Sequence, residues 1–377
     1  MKPTRKELKV AIVHDWFMGK GGAEQVFKEI FSSFPQADIY ALFNNMSSEL
    51  QKEFLGDKKI TVSFLQKFPF ARKNHRYFFP FFKYAIESFD LSKYDLIISS
   101  SHAVAKGVKI TDGQRHLCYC HTPVRYAWDM RTEYLEHVTN KGVRKIANWQ
   151  LDKLKKWDHH SANRVTKFAA NSVYVSKRIK NHYLRDAQVV YPPINTEFFI
   201  PNGITVKDRS QYIVVSRLVP YKRIDLIIRA FNKMPNLHLK IIGEGPEYLS
   251  LKEAANDNIE FLGFTGNEQL RKEFQKSKAL ILAANEDFGI TSLEAQACGI
   301  PVLALRKGGY LETVKEGKTG FFFDKQDVES IVEGVRKFEK DRHTLEPESA
   351  RENALRFSRK RFREEFKSFV ESALNNS

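Results

Sequence analysis

Two series of short apolar runs, each run followed by a helical stretch, limit most strongly the folds open to this chain. The first series is KVAIVHD, ADIYALF, YDLIISSS, HLCYCH, KFAANS and QVVYP; the second is QYIVVS, HLKIIG, IEFLG, ALILAAN, PVLALR and GFFF. Runs that stay apolar instead of alternating with polar residues suit strands covered on both faces, and intervening helices demand parallel crossovers. A chain of 377 residues also exceeds what one core usually supports. The sequence therefore predicts an α/β chain of two doubly wound, Rossmann-like domains. The seam is expected in YPPINTEFFIPNG, where Pro192, Pro193 and Pro201 favour extended chain. That gives domains at 1–198 and 199–354.

Charge narrows the partners. Sixty-one Lys and Arg against 45 Asp and Glu leave +16, with a pI near 9.5, so an anionic partner surface is expected. In residues 62–89, Phe64, Phe68, Phe70, Phe78, Phe79, Phe81 and Phe82 are interleaved with Lys67, Arg72, Lys73, Arg76 and Lys83. Two uses are open for this segment: rings in a headgroup boundary with cations on anionic lipid, or phenylalanines filling the N-terminal core. Nucleic acid is the rival partner, but no helix-turn-helix, zinc-finger, RNP or KH signature is present, so none is expected. Three cysteines without a C-x-x-C argue against a disulfide framework and a structural zinc site, and make a reducing compartment the natural home. The start MKPTRKELKV runs straight into a strand with no h-region, and no stretch of about 18 uninterrupted apolar residues occurs. Neither secretion by a signal peptide nor a membrane span is expected.

The chemistry concentrates in NEDFGITSLEAQACGIPVLA. A buried strand, a turn at Glu286–Gly289 and a short helix ending at Gly299 put backbone amides, a helix N-terminus and the carboxylates of Glu286 and Glu294 around one crevice. With a nucleotide sugar as ligand, the amides and helix dipole favour the diphosphate. Glu294 then accepts the ribose hydroxyls, Glu286 faces the sugar, and Gly289 permits close backbone approach. Arg217 and Lys222, in SRLVPYKR, supply positive charge for a departing diphosphate. An oxidoreductase is the rival for the N-terminal glycine loop, but Gly19-Lys20-Gly21-Gly22 lacks G-x-G-x-x-G. The loop is open to two readings, a tight turn or N–H groups of Gly21 and Gly22 reaching a diphosphate. His121 lies where a strand ends, on the edge at which open α/β sheets place ligands; His102 is a weaker candidate. No D-x-D motif stands in the nucleotide region, so no metal and no separate cofactor is expected.

These segments resemble the retaining glycosyltransferases of family 4, with their E-x7-E motif and upstream Arg and Lys in a C-terminal nucleotide-binding domain. The resemblance extends to KVAIVHDWFMGKGGAEQVF, SSSHAVAKG, CYCHTPVRYAWD, VVYPPINTEFF, IIGEGPE and GGYLETVKEGKTGFFF. It looks closest to bacterial members that build O-antigen, capsule or exopolysaccharide, several of which use GDP-mannose. It implies a GT-B fold, the two domains facing across a cleft, with a final helix at about 355–377 packing back on the first domain. It also implies metal-independent transfer with retention, donor contacts from Gly243, Glu244, Asp287, Phe288, Gly289, Ile290 and Thr291, and His121 near the transferred sugar. Arg125, Tyr126 and Trp128 would shape an acceptor site, Trp128 being equally suited to the core. The implied acceptor is a lipid-linked saccharide, met by a peripheral protein on the inner face of the plasma membrane. Base, sugar, acceptor and oligomeric state are not written in any motif here. A basic lipid- or nucleic-acid-binding protein without transferase activity is the alternative.

Overall fold

The computed structural model describes residues 8–69, 75–136, 140–203 and 209–375. They form two compact units, one running to residue 191 and resuming at 362, the other running from 192 to 361. The first unit carries β1 (Val10–Phe17), β2 (Asp38–Asn44), β3 (Ile60–Val62), β4 (Leu96–Ser101), β5 (Arg115–Cys120), β6 (Lys167–Ala170) and β7 (Ala187–Val189), in the all-parallel order β3-β2-β1-β4-β5-β6-β7. Its helices are α1 (Gly22–Ser33), α2 (Ser48–Leu55), α3 (Phe82–Glu87), α4 (Arg131–Glu136), α5 (Lys141–Ser161) and α6 (Val173–Tyr183). The second unit carries β8 (Gln211–Val215), β9 (His238–Ile242), β10 (Ile259–Gly263), β11 (Ser277–Leu282), β12 (Val302–Leu305) and β13 (Gly320–Phe323), again parallel, in the order β10-β9-β8-β11-β12-β13. Between and after them run α7 (Ile224–Asn232), α8 (Tyr248–Glu253), α9 (Asn267–Lys276), α10 (Ile290–Ala297), α11 (Tyr310–Thr313), α12 (Val328–Asp341), α13 (Pro347–Leu355) and α14 (Arg359–Asn375).

Both series of apolar runs are strands, and both sheets are covered on two faces. In the first unit Val10 and Ile12 face α1, through Val26, Phe27 and Ile30, while Ala11 and Val13 face Phe82, Ile86 and Leu154. The sequence reading missed β3, a three-residue edge strand whose side chains are at most half-buried, so no apolar run marks it. The last helix, α14, presents Phe362, Phe366, Phe369, Val370 and Ala373, a helical-period stripe, to the first unit's core. The expected boundary at 198 needs correction. Residues 192–198 pack with the second unit, because Ile194 pairs with Ser358, Arg361 donates to the Pro192 carbonyl, and Arg351 donates to the carbonyls of Thr196 and Phe199.

The aromatic-basic segment 62–89 is part core and part surface. Leu65 and Phe82 are buried, and Phe78 and Phe79 pack against the core. Phe64, Phe68, Phe81 and Tyr84 are exposed. Phe70, Arg72 and Lys73, and the side chain of Arg76, lie outside the described residues.

Candidate functional site

In each sheet the strand order reverses once, between β1 and β4 and between β8 and β11. Loops leaving two such strands diverge, and the crevice at their carboxyl ends is where open α/β sheets bind ligands. Of the predicted residues, Gly21, Gly22 and His102 follow β1 and β4, and Arg217, Lys222 and Glu286 to Glu294 follow β8 and β11.

In the second unit the loop after β8 carries Arg217 and Lys222, and the turn after β11 carries Glu286. Lys222 Nζ donates to Glu286 Oε1, so the Arg/Lys segment and the first glutamate meet across 64 residues. Burial works against the Lys222 charge, but Glu286 more than offsets it, aided by Tyr221, and the ammonium is held above its ordinary value. Arg217 Nη2 donates to Tyr221 Oη at 3.1 Å. The loop after β9 lies alongside: the amides of Ser216 and Leu218 donate to the carbonyls of Ile242 and Glu244. Gly243, at φ +140°, lies where a Cβ would stand 1.8 Å from the Ser216 carbonyl oxygen, so a side chain there cannot be accommodated.

Gly289 adopts the left-handed conformation that turns the chain into α10, and no side chain caps that helix. The first-turn amides, at Ile290 and Thr291, stand at the positive end of the helix dipole. Asp287 and Phe288 are buried in the same turn. The Gly308–Gly309 loop closes over it, with the Gly309 amide donating to the Glu286 carbonyl at 2.8 Å. Sequence reasoning quoted this loop only as part of the resemblance. Its signal is the glycine pair itself, since a Cβ on Gly309 would stand 2.3 Å from Phe288 Cα.

Glu294 sits on α10 with its carboxyl pushed up to about 7 by burial. Two hydroxyl donors from a ribose would favour the ionised form. Binding of a sugar-nucleotide diester, which has no terminal phosphate to titrate, is thus expected to release up to about one proton at pH 6. Calorimetry in buffers of different ionisation enthalpy reads this directly. Proton release retained in Glu294→Gln, or absent from the parent, would remove Glu294 from the ribose.

The first unit holds a constellation that the sequence reading found only in part. His14 on β1 lies opposite Ser100 on β4, and its Nδ1 stands 3.1 Å from both the Ser100 carbonyl and Oγ. Ser100 Oγ in turn stands 2.8 Å from His121 Nε2. Burial, with the neighbouring histidines adding to it, lowers His121 well below the usual range and His14 to about 3, so both rings are neutral at pH 7. Asp15 is fully buried and accepts four backbone amides, from His102, Ala103, Val104 and Ala105, at 2.6–2.9 Å. That clamp fixes the loop bearing His102, whose Nδ1 is 3.2 Å from the same carboxylate. His14, Asp15 and Ser100 were missed because only the pairing of β1 with β4 brings them to His121.

The remaining candidates divide. Tyr126 packs its ring on Phe79, 5.1 Å between centroids, and Arg125 is half-buried in the same turn. Trp128 is half-buried against the core: its Nε1 donates to Asp158 at 2.8 Å and its ring stacks on His182. Asp158 also binds Lys106 and Tyr183, so Trp128 belongs to a buried network and the core reading of it stands. Gly21 caps α1, but Glu24 folds back over the loop, its Oε1 accepting from the Met18 amide. An anion at Gly21 and Gly22 would meet that carboxylate. Among the described residues no group of three His, Cys, Asp or Glu is placed to hold a metal ion.

Two family models match, one over each half of the chain. Residues 20–198 match "Glycosyltransferase Family 4" and residues 195–357 match "Glycosyl transferases group 1". By these two matches the chain is similar to the glycosyltransferases of family 4 and of group 1, and its two parallel-sheet units have the Rossmann-like form of the GT-B fold. A GDP-mannose-dependent alpha-(1-6)-phosphatidylinositol monomannoside mannosyltransferase of Mycolicibacterium smegmatis is 35% identical over 38% of the chain and 44% of its own length. A D-inositol 3-phosphate glycosyltransferase of Streptomyces avermitilis is 28% identical over 46% of the chain and 44% of its own length. The chain thus spans under half of each of these curated relatives. Among solved structures, Anabaena HepE in complex with UDP-glucose superposes with a TM-score of 0.70 at 16% identity, covering 97% of this chain and all of that one. Sucrose-phosphate synthase of Thermosynechococcus elongatus superposes at 0.71 and 14% identity, covering 98% and 100%.

Proposed function

We propose that the chain transfers a hexose, with retention and without a metal ion, from a nucleoside-diphosphate sugar to a hydroxyl of a lipid-linked saccharide in surface polysaccharide synthesis. GDP-mannose is the favoured donor, a choice supported by the mannosyltransferase relative and by the motifs after β5 and β8. The observation that carries the reading is the Lys222–Glu286 pair at the reversal point of the second sheet, beside the uncapped start of α10 and the half-buried Glu294. The leaving group is already a diphosphate, so the protein's task is to hold its developing charge with preorganised donors. Lys222, Arg217 and the α10 amides do that. Glu286 orients the sugar hydroxyls and Glu294 the ribose; in the first unit neutral His121, fixed by Ser100, is a hydrogen-bonding group without charge. The protein acts as a peripheral one on the inner face of the plasma membrane, where the exposed aromatics of 62–89 meet anionic lipid. Among the described residues no helix is long and apolar enough to cross a membrane.

A thermal-shift panel of GDP, UDP, ADP and their sugar conjugates tests the donor site, because a ligand that binds only the folded state raises its stability, by about 2.7 kcal/mol at a hundred times Kd. A rise of several degrees with one nucleotide, largest with its mannose conjugate, is expected. No shift with any member would sink the nucleotide-sugar reading and leave a basic lipid- or nucleic-acid-binding protein. Transfer that EDTA abolishes and a divalent ion restores would overturn its metal independence.

A further inference from the structure

Helix α5 has an unusual division along its length. Its second half is anchored by Leu151, Leu154, Asp158 and Ser161, all buried, whereas none of its first ten residues, 141–150, is. Asn140 caps this projecting half by accepting from the amides of Gly142 and Val143, so it is a formed helix that, among the described residues, buries none of its own side chains fully. Its apolar residues are the ones exposed: Val143 at 53%, Ile146 at 63% and Trp149 at 53%. Lys153 and Lys156 continue the same three- and four-residue spacing, which places all five along one side. Lys153 Nζ sits 3.5 Å from the centre of the Trp149 ring, leaving a cation over an indole at the surface.

The charge decides what fits there. Lys141, Arg144, Lys145, Lys153, Lys155 and Lys156 all lie on α5, against Asp152, which pairs with Arg131, and buried Asp158. A second copy of the helix would bring like charges together, while anionic headgroups would neutralise them as the tryptophan and isoleucine enter the acyl boundary. The exposed aromatics of 62–89 flank Phe82 and Phe79, which pack in the same hydrophobic cluster as Leu154 and Trp157 of α5. Both patches therefore rise from one layer of the first unit.

We infer that the exposed side of α5, centred on Ile146, Trp149, Lys153 and Lys156, is a docking surface for an anionic lipid bilayer. It rests on the membrane-facing part of the proposed function and assigns it to a helix outside 62–89. The test uses the full chain with vesicles of phosphatidylglycerol and phosphatidylcholine, and of phosphatidylcholine alone. Binding is expected only to the former, falling with salt. Brominated acyl chains should quench the parent's fluorescence more than that of Trp149→Phe, and Ile146→Asn with Trp149→Asn should weaken binding at least about tenfold with the melting temperature unmoved. Binding that survives the double variant without quenching of Trp149, and is lost instead in Phe68→Asn with Tyr84→Asn, would overturn the α5 surface and leave the membrane reading intact. No binding to phosphatidylglycerol vesicles would overturn both. A concentration-dependent dimer that the double variant abolishes, with no vesicle binding, would overturn it in favour of self-association.

Discussion

Lys222→Ala is expected to lower transfer from a nucleotide sugar by about two to three orders of magnitude, the loss typical when one preorganised donor to a developing oxyanion is removed. The fold should survive. Lys222 is not a core residue, and its side chain is one-fifth exposed and reaches out of a loop to Glu286. The loop itself is held by backbone bonds from Leu218 and Glu247 that alanine does not touch. The variant's loss should appear in kcat more than in KM, because the charge on the leaving diphosphate grows in the transition state. Glu286→Gln separates the two partners. If Lys222 acts only by holding Glu286, the single variants and the double variant lose the same factor; if each touches the donor, their losses compound. Wild-type turnover in Lys222→Ala would end the leaving-group assignment.

Acid is expected to weaken the first unit well before ordinary carboxylates titrate. His14, His116 and His121 are buried and neutral, with pKa lowered to about 3 for His14, to about 4 for His116 and well below the usual range for His121, desolvation being the main cause in each. The unfolded chain takes up protons at these rings near pH 6.5 while the folded chain does not, so stability present above pH 6.5 is lost as pH falls towards the folded values. Between pH 7 and pH 5 the loss approaches about 2 kcal/mol per histidine. Glu294 works the other way. Its folded value is raised, so its folded carboxyl takes up a proton first and the second unit gains about one histidine's worth over the same interval. Urea unfolding at pH 7 and pH 5, followed unit by unit by amide exchange, should show the first unit falling and the second holding. A first unit equally stable at both pH values would mean that the three rings are not buried neutral.

What the sequence by itself determined is what short-range chemistry carries. Continuous Val, Ile and Leu runs gave every long strand, and the glycine at 289 marked the turn into α10. The second unit's site was legible for the same reason, since its members lie on two loops whose residue types state their chemistry: Arg217 and Lys222 on one, Glu286 to Glu294 on the other. Residues 62–89 and α5 were not separable into core and surface by composition, because a phenylalanine or tryptophan looks the same in the chain whether a sheet covers it or not. Only the tertiary structure decided that Phe82 is buried, that Trp149 is exposed and that Trp128 serves Asp158. It alone placed His14 against Ser100, 86 positions away, and Asp15 beneath the amides of 102–105. Those contacts follow from strand order. A parallel sheet brings distant strand ends to one edge, and no local pattern encodes which strand will be the neighbour.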